Sequence, residues 1–216
     1  FNEYTGKFVP GLAKAWRRIN PTTLEFDLRD DVYYHSGNKF TAEDVKYTFD
    51  WLADPKVRIR FKARYLRLKE LKIINPYKVR VIFKQPNATD LSSIAYRYRF
   101  YDSKIHKSLE KPATYGRVSA SSTGPYKLVS FETGKGFALE RFDKWWNDTT
   151  SRAPVKRIEA SFIPDRQTQK AQLLTNGIDL MRDITADDSR NLATAPGIAV
   201  TPTASKQIMY LTLDAA

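Results

Sequence analysis

The 216 residues make one large domain or two small ones, and a hydrophobic share of 42% with an aromatic share of 13% supplies a core and excludes an intrinsically disordered chain. Zero cysteines exclude a disulfide framework, a thiolate zinc site, an iron–sulfur cluster and a cysteine nucleophile. The net charge of +12 is concentrated in positions 51–100, with 13 Lys/Arg against 3 Asp/Glu and 23 against 21 elsewhere, so one basic surface is expected and a general polyanion binder is not.

Taken in chain order, Leu24, Phe26 and Leu28 alternate with Glu25, Asp27 and Arg29, which predicts a half-buried strand. Ser36-Gly37-Asn38-Lys39 predicts a turn. A helix is expected to start after Thr41 as N-cap, with Glu43 and Asp44 in its first turn, where the helix dipole favours anions. Phe40 and Val45 stand at the two ends of a hydrophobic staple, and Asp54-Pro55 ends the helix.

From Lys56 to Tyr65 basic and apolar residues alternate strictly, which reads as a strand with Lys56, Arg58, Lys62 and Arg64 on one face in water and a bulge at Tyr65-Leu66. Asn75-Pro76-Tyr77 predicts a hairpin into Lys78–Lys84, and Gly134-Lys135-Gly136 predicts a second between Tyr126 and Arg141. Pro164 and Asp165 open another helix, which Gly177 follows, and Thr185 caps a short one with Asp188 in its first turn. Strands are expected near Ile198–Thr201 and Ile208–Leu213. Strands and helices are interspersed, so the fold class is mixed α/β. The longest run without a charge, Asn191–Ser205, is 15 residues and holds two prolines, too short and too polar to span a bilayer.

Catalytic patterns are mostly absent. The two histidines, His35 and His106, are far apart, no Gly-Lys-Ser/Thr follows the glycines at 134 and 136, and no Gly-x-Ser-x-Gly elbow occurs. The basic stripe over 56–72 has two readings. One is an anion-binding face for nucleic acid or an acidic ligand. The other, which the sequence favours, is an outer face whose charge blocks edge pairing. A nucleic-acid face would interleave exposed aromatics with the charges, whereas Phe61 and Tyr65 fall on the opposite, apolar side.

Four stretches, in order along essentially the whole chain, carry a resemblance. They are Val9–Trp16 running on to Phe26–Val32; Tyr34-His35-Ser36-Gly37-Asn38-Lys39-Phe40-Thr41-Ala42-Glu43-Asp44-Val45; Ser122–Leu128 with Leu139–Trp146; and Ile163-Pro164-Asp165 with Leu173–Leu180. Together they resemble the family 5 extracellular solute-binding proteins, the dipeptide-, oligopeptide- and nickel-binding components of ABC importers. Ser36 stands where the family usually has Asp.

The resemblance implies a non-enzymatic binding module without a cofactor. It implies a periplasmic-binding-protein-like α/β lobe with a mixed β-sheet, flanking helices and β-hairpins, closing with a second lobe on a small-molecule or peptide ligand. It also implies a permease as partner, no nucleic acid, and a place in the periplasm or, lipid-anchored, outside a Gram-positive cell. Residues 1–216 are expected to be the first lobe, processed or truncated, since Phe1 is not an initiator Met. The first strand and the second lobe are expected to be missing. The ligand side is expected at Arg60 and Tyr65 after the first long helix, at Arg97 and Tyr98, and at Ser122 and Thr123. His35 and Gly37 are expected to build a turn only. A sensory domain of a regulator is the alternative reading from another class.

Overall fold

The computed structural model describes residues 5–59, 62–116, 120–147 and 154–201. They fall into two compact units, 1–161 and 162–216.

The first unit begins with β1 (Ala13–Asn20) and β2 (Thr23–Leu28), an antiparallel pair. Helix α1 (Ala42–Ala53) follows, then a 3-10 helix (Lys62–Arg67) and the hairpin β3 (Leu68–Asn75) and β4 (Lys78–Phe83). These four strands form a sheet in the order β1-β2-β4-β3. Leu24 and Phe26 of β2, Leu71 of β3, Val79 and Val81 of β4, and Val45 and Phe49 of α1 share one buried cluster. Period 2 in the strands and period 3.6 in the helix put these side chains on facing surfaces. Removing them from water is the main stabilising contribution.

The outer sheet face is polar, and it corrects one expectation. Glu25 points to the solvent side of β2, yet only 1% of its surface is exposed. Its register partners are Arg17 and Arg80, and their long stems and guanidinium groups cover it. Arg17 Nε and Arg80 Nε donate to its two carboxylate oxygens at 2.9 and 2.6 Å. The hydrogen bond from Arg80, then that from Arg17, holds the carboxyl below the usual range.

The stripe Lys56–Tyr65 is not a strand. Residues 56–59 are turn and loop, and Lys62–Arg67 are helical; Arg60 and Phe61 lie outside the described residues. The cause is local. The Lys62 ammonium donates to the Leu52 carbonyl at 2.8 Å and to that of Asp54, so it caps the end of α1. Carbonyls at a helix C-terminus are unpaired and attract cations. Among the described residues the stripe does not form the flat charged strand face that a nucleic-acid reading needs.

Beyond β4 lie α2 (Asp90–Arg97) and α3 (Ser103–Ser108), then a second sheet in the order β5 (Tyr126–Glu132), β6 (Gly136–Arg141), β7 (Arg157–Ser161). Among the described residues both sheets are antiparallel, where the resemblance led us to expect a mixed sheet.

The second unit holds α4 (Arg166–Leu174) and α5 (Ala186–Leu192), capped by Asp165 and Thr185 as expected. Asn176, with φ +59°, ends α4, and Gly177 N donates to the Gln172 carbonyl at 2.7 Å, the pattern of a Schellman stop. Lys170 Nζ lies 2.6 Å from Asp188 Oδ1 and ties the two helices. The stretch 198–201 is not a strand, and 208–213 lies outside the described residues.

Candidate functional site

The predicted turn at 36–39 forms, with Gly37 at φ +88°, and is anchored from below. Asp102, the N-cap of α3, is fully buried. Its carboxylate accepts from Ser36 Oγ at 2.5 Å, from Asn38 Nδ2 at 3.1 Å and from Ser121 Oγ at 3.0 Å. The departure at position 36 has a physical reason here. An Asp would set a second carboxylate against Asp102, whereas Ser donates a proton to it. Asp102 thus joins the turn, α3 and the segment leading into Ser122-Thr123-Gly124.

His35 fixes that segment from the other side. Its backbone N donates to the Ser122 carbonyl at 2.9 Å, and its Nε2 lies 2.9 Å from the Gly124 carbonyl, so the Nε2 tautomer carries the proton. Phe142 packs edge-on against the ring at 4.9 Å. Burial lowers the His35 pKa, which keeps the imidazole neutral at pH 7. His35 therefore does more than form a turn: it positions residues 122–124.

Two aromatic rings come from different elements. Tyr98 follows α2 and stacks on Phe49 of α1 at 4.4 Å between ring centres. Tyr65, from the 3-10 helix, meets Tyr98 edge-on at 5.2 Å. Burial pushes the Tyr98 hydroxyl well above its ordinary pKa, so it is a neutral donor and acceptor.

Tyr98, Ser122 and Thr123 line one cavity of about 450 Å³. Its floor is carbon, made by Phe26, Phe49, Val79 and Val81, and Trp16 and Ile94 stand in its wall. Arg99 also lines it and is the one charged residue that does so among the described residues. Arg99 Nη1 donates to the carbonyls of Tyr96 at 2.9 Å and Tyr98 at 3.4 Å, which fixes the guanidinium. A few polar groups converging on an apolar hollow can orient a small ligand while its body is removed from water.

Of the six residues expected at the ligand side, three line this cavity. Tyr65 is not among the lining residues but packs edge-on against Tyr98, which is. Arg97 lies on the exposed side of α2, its guanidinium 5.7 Å from the Tyr96 ring. Arg60 lies outside the described residues. Sequence reasoning passed over Arg99 and Trp16. Spacing two residues beyond Arg97 carries no signal of which exposed arginine borders the cavity once the helix has ended. Among the described residues no group of three or more His, Asp or Glu is placed to hold a metal ion. No described helix is long and apolar enough to cross a membrane.

The family model described as "Bacterial extracellular solute-binding proteins, family 5 Middle" matches residues 7–216. The chain is 25% identical over 179 residues to the nickel-binding periplasmic protein of Escherichia coli strain K12, a match covering 82% of this chain and 33% of that protein. It is 23% identical over 174 residues to the oligopeptide-binding protein OppA of Bacillus subtilis strain 168, covering 73% of this chain and 31% of that one. In structure it resembles the oligopeptide-binding protein AppA of Bacillus subtilis, solved with a nonapeptide. The TM-score is 0.78 at 19% identity, over 86% of this chain and 37% of that one. The chain therefore spans about a third of the length of the curated relatives it matches.

Proposed function

Because the chain belongs to family 5 of the bacterial extracellular solute-binding proteins, we propose that it is the first lobe of a two-lobed receptor. The receptor captures a small molecule or peptide outside the cytoplasm and hands it to the permease of an ABC-type importer. It acts by binding and carries out no reaction. Its place is the periplasm, or the outer face of a Gram-positive membrane through a lipid anchor.

One observation carries the reading. Tyr98, Ser122 and Thr123, from separate stretches of the sequence, line a single cavity. The three supply an aromatic wall and hydroxyl groups, which suits a solute held mainly by shape and a few hydrogen bonds. The lobe's part is to offer one wall, and a second lobe completes the enclosure.

Calorimetry with the solute classes named for relatives tests it: a nonapeptide, the peptide STSA, agropinic acid, Ni(L-His) and glutathione. One class is expected to bind, and Tyr98→Ala is expected to weaken it at least tenfold with the fold retained. Retention on DNA that fades with salt, with no solute bound, would replace this reading.

A further inference from the structure

The lining of the cavity selects among solutes. We propose that it takes a solute with a bulky apolar body and an anionic end, and that Arg99 reads the anion. The proposal rests on the cavity being the solute site.

The floor residues Phe49, Val79 and Val81 offer no hydrogen bond, so a polar body placed there would lose its water partners without replacement. An apolar group gains by leaving water. At the rim the chemistry changes. Arg99 Nη1 is occupied by two backbone carbonyls, and among the described residues Nε and Nη2 have no partner. A guanidinium held in one orientation with free donors fits a carboxylate, and hydrogen bonds between charged partners are the strong ones. Ser122 and Thr123 line the same cavity and bring hydroxyl-bearing side chains to it.

A cationic solute meets the opposite conditions. No Asp, Glu or His lines the cavity among the described residues, and the one charge there is positive. An ammonium group would be desolvated unpaired and repelled by Arg99, and a bare divalent cation would find no ligand set.

Three probes separate the cases: N-acetyltryptophan as the anion, N-acetyltryptophanamide as its neutral match, and tryptamine as the cation. Binding is measured by calorimetry on the protein and on two variants whose fold is checked by circular dichroism. Ala95→Phe blocks the cavity, since Ala95 lines it from an exposed position on α2. Arg99→Gln removes the charge. The acid is expected to bind about tenfold more tightly than the amide, the loss of one charge-assisted contact. Tryptamine is expected to be the weakest. Arg99→Gln should bring the acid down to the amide and leave the amide unchanged, and Ala95→Phe should abolish both. If Ala95→Phe blocks binding but acid and amide bind alike, or Arg99→Gln changes neither, the role of Arg99 is overturned and the cavity stands. If binding survives Ala95→Phe, the cavity is not the solute site and both readings fall, and if the acid shows no binding the selection of an anionic solute is overturned.

Discussion

Asp102 shows how much of the site depends on single buried groups. Its carboxylate receives donors from Ser36, Asn38, Ser121 and the backbone N of Ile105. Asp102→Asn would turn one accepting atom into a donor that faces donors. We expect a loss of about 2–3 kcal/mol in unfolding free energy, measured by chemical denaturation, the cost of leaving buried polar groups unmatched. The two histidines set the behaviour with pH. His35 is half-buried against Phe142, and His106 is buried among Tyr47, Trp51, Tyr101 and Tyr115, with the Tyr47 hydroxyl 2.6 Å from Nδ1. Burial lowers the pKa of both in the folded state. Unfolded, both titrate near the ordinary value of about 6.5. Below that pH the unfolded chain takes up protons that the folded chain refuses, so their contribution is full above about 6.5 and is lost as pH falls towards the folded values. Glu25 is shifted down by its arginines, so its contribution is already full across this range and is lost only at lower pH, below the ordinary carboxylate value. The thermal midpoint is therefore expected to fall between pH 7.5 and 5.5. His35→Gln should flatten part of that slope, and an unchanged slope would remove His35 from the account.

Among the elements, α1 is held at both ends by side chains that its sequence names only in part. Asp44 Oδ2 accepts from the Thr41 backbone N at 2.9 Å, and its Oδ1 accepts from Ser103 N and Oγ, so one carboxylate serves the starts of α1 and α3. The Thr41 cap was legible from the residue pattern. The link to Ser103 was not, because 59 residues separate the partners. At the other end Lys62 satisfies the last carbonyls of α1. Periodicity read this stretch as a strand since it counts alternation and does not see a helix end seeking a cation. Lys62→Met is expected to cost about 0.5–1 kcal/mol, the scale of a charge at a helix terminus. Lys56→Gln with Arg58→Ser should stay within about 0.5 kcal/mol, as exposed substitutions do. Equal losses from both would restore a shared role for the stripe. The second hairpin turns where predicted, but the constraint at Gly136 belongs to tertiary structure. A Cβ there would run into the backbone carbonyl of Ala160 on β7. Gly136→Ala should detach β7 and lower the melting temperature well beyond the effect of Gly134→Ala, where nothing stands within 4 Å of the new atom.

At the scale of the whole molecule, the fold class was readable because β2, α1, the two hairpins and the caps of α4 and α5 each carry their own local signal. β1 was missed, since Lys14, Arg17 and Arg18 break its alternation, and β7 and the short helices α2 and α3 were too brief to stand out. Of the cavity, Tyr98, Ser122 and Thr123 were expected from the resemblance alone, and its apolar floor was not readable. Phe26, Phe49, Val79 and Val81 were each legible as core, but that one side of the core stays open is set by packing alone. The opening also bears on affinity. The chain spans about a third of its curated relatives, and the proposed second lobe would supply further contacts and exclude water. On the proposed reading this chain offers one wall of the site, and the opposite side of a bound solute stays in water. Each tenfold in affinity is about 1.4 kcal/mol, so the loss of several hydrogen bonds and of half the apolar contact amounts to several powers of ten. We therefore expect residues 1–216 to bind a solute orders of magnitude more weakly than a polypeptide that carries both lobes, with the difference mainly in the rate of release. Calorimetry on both with one solute decides this. Equal affinity would place the whole site within this chain and remove the need for a second lobe in binding.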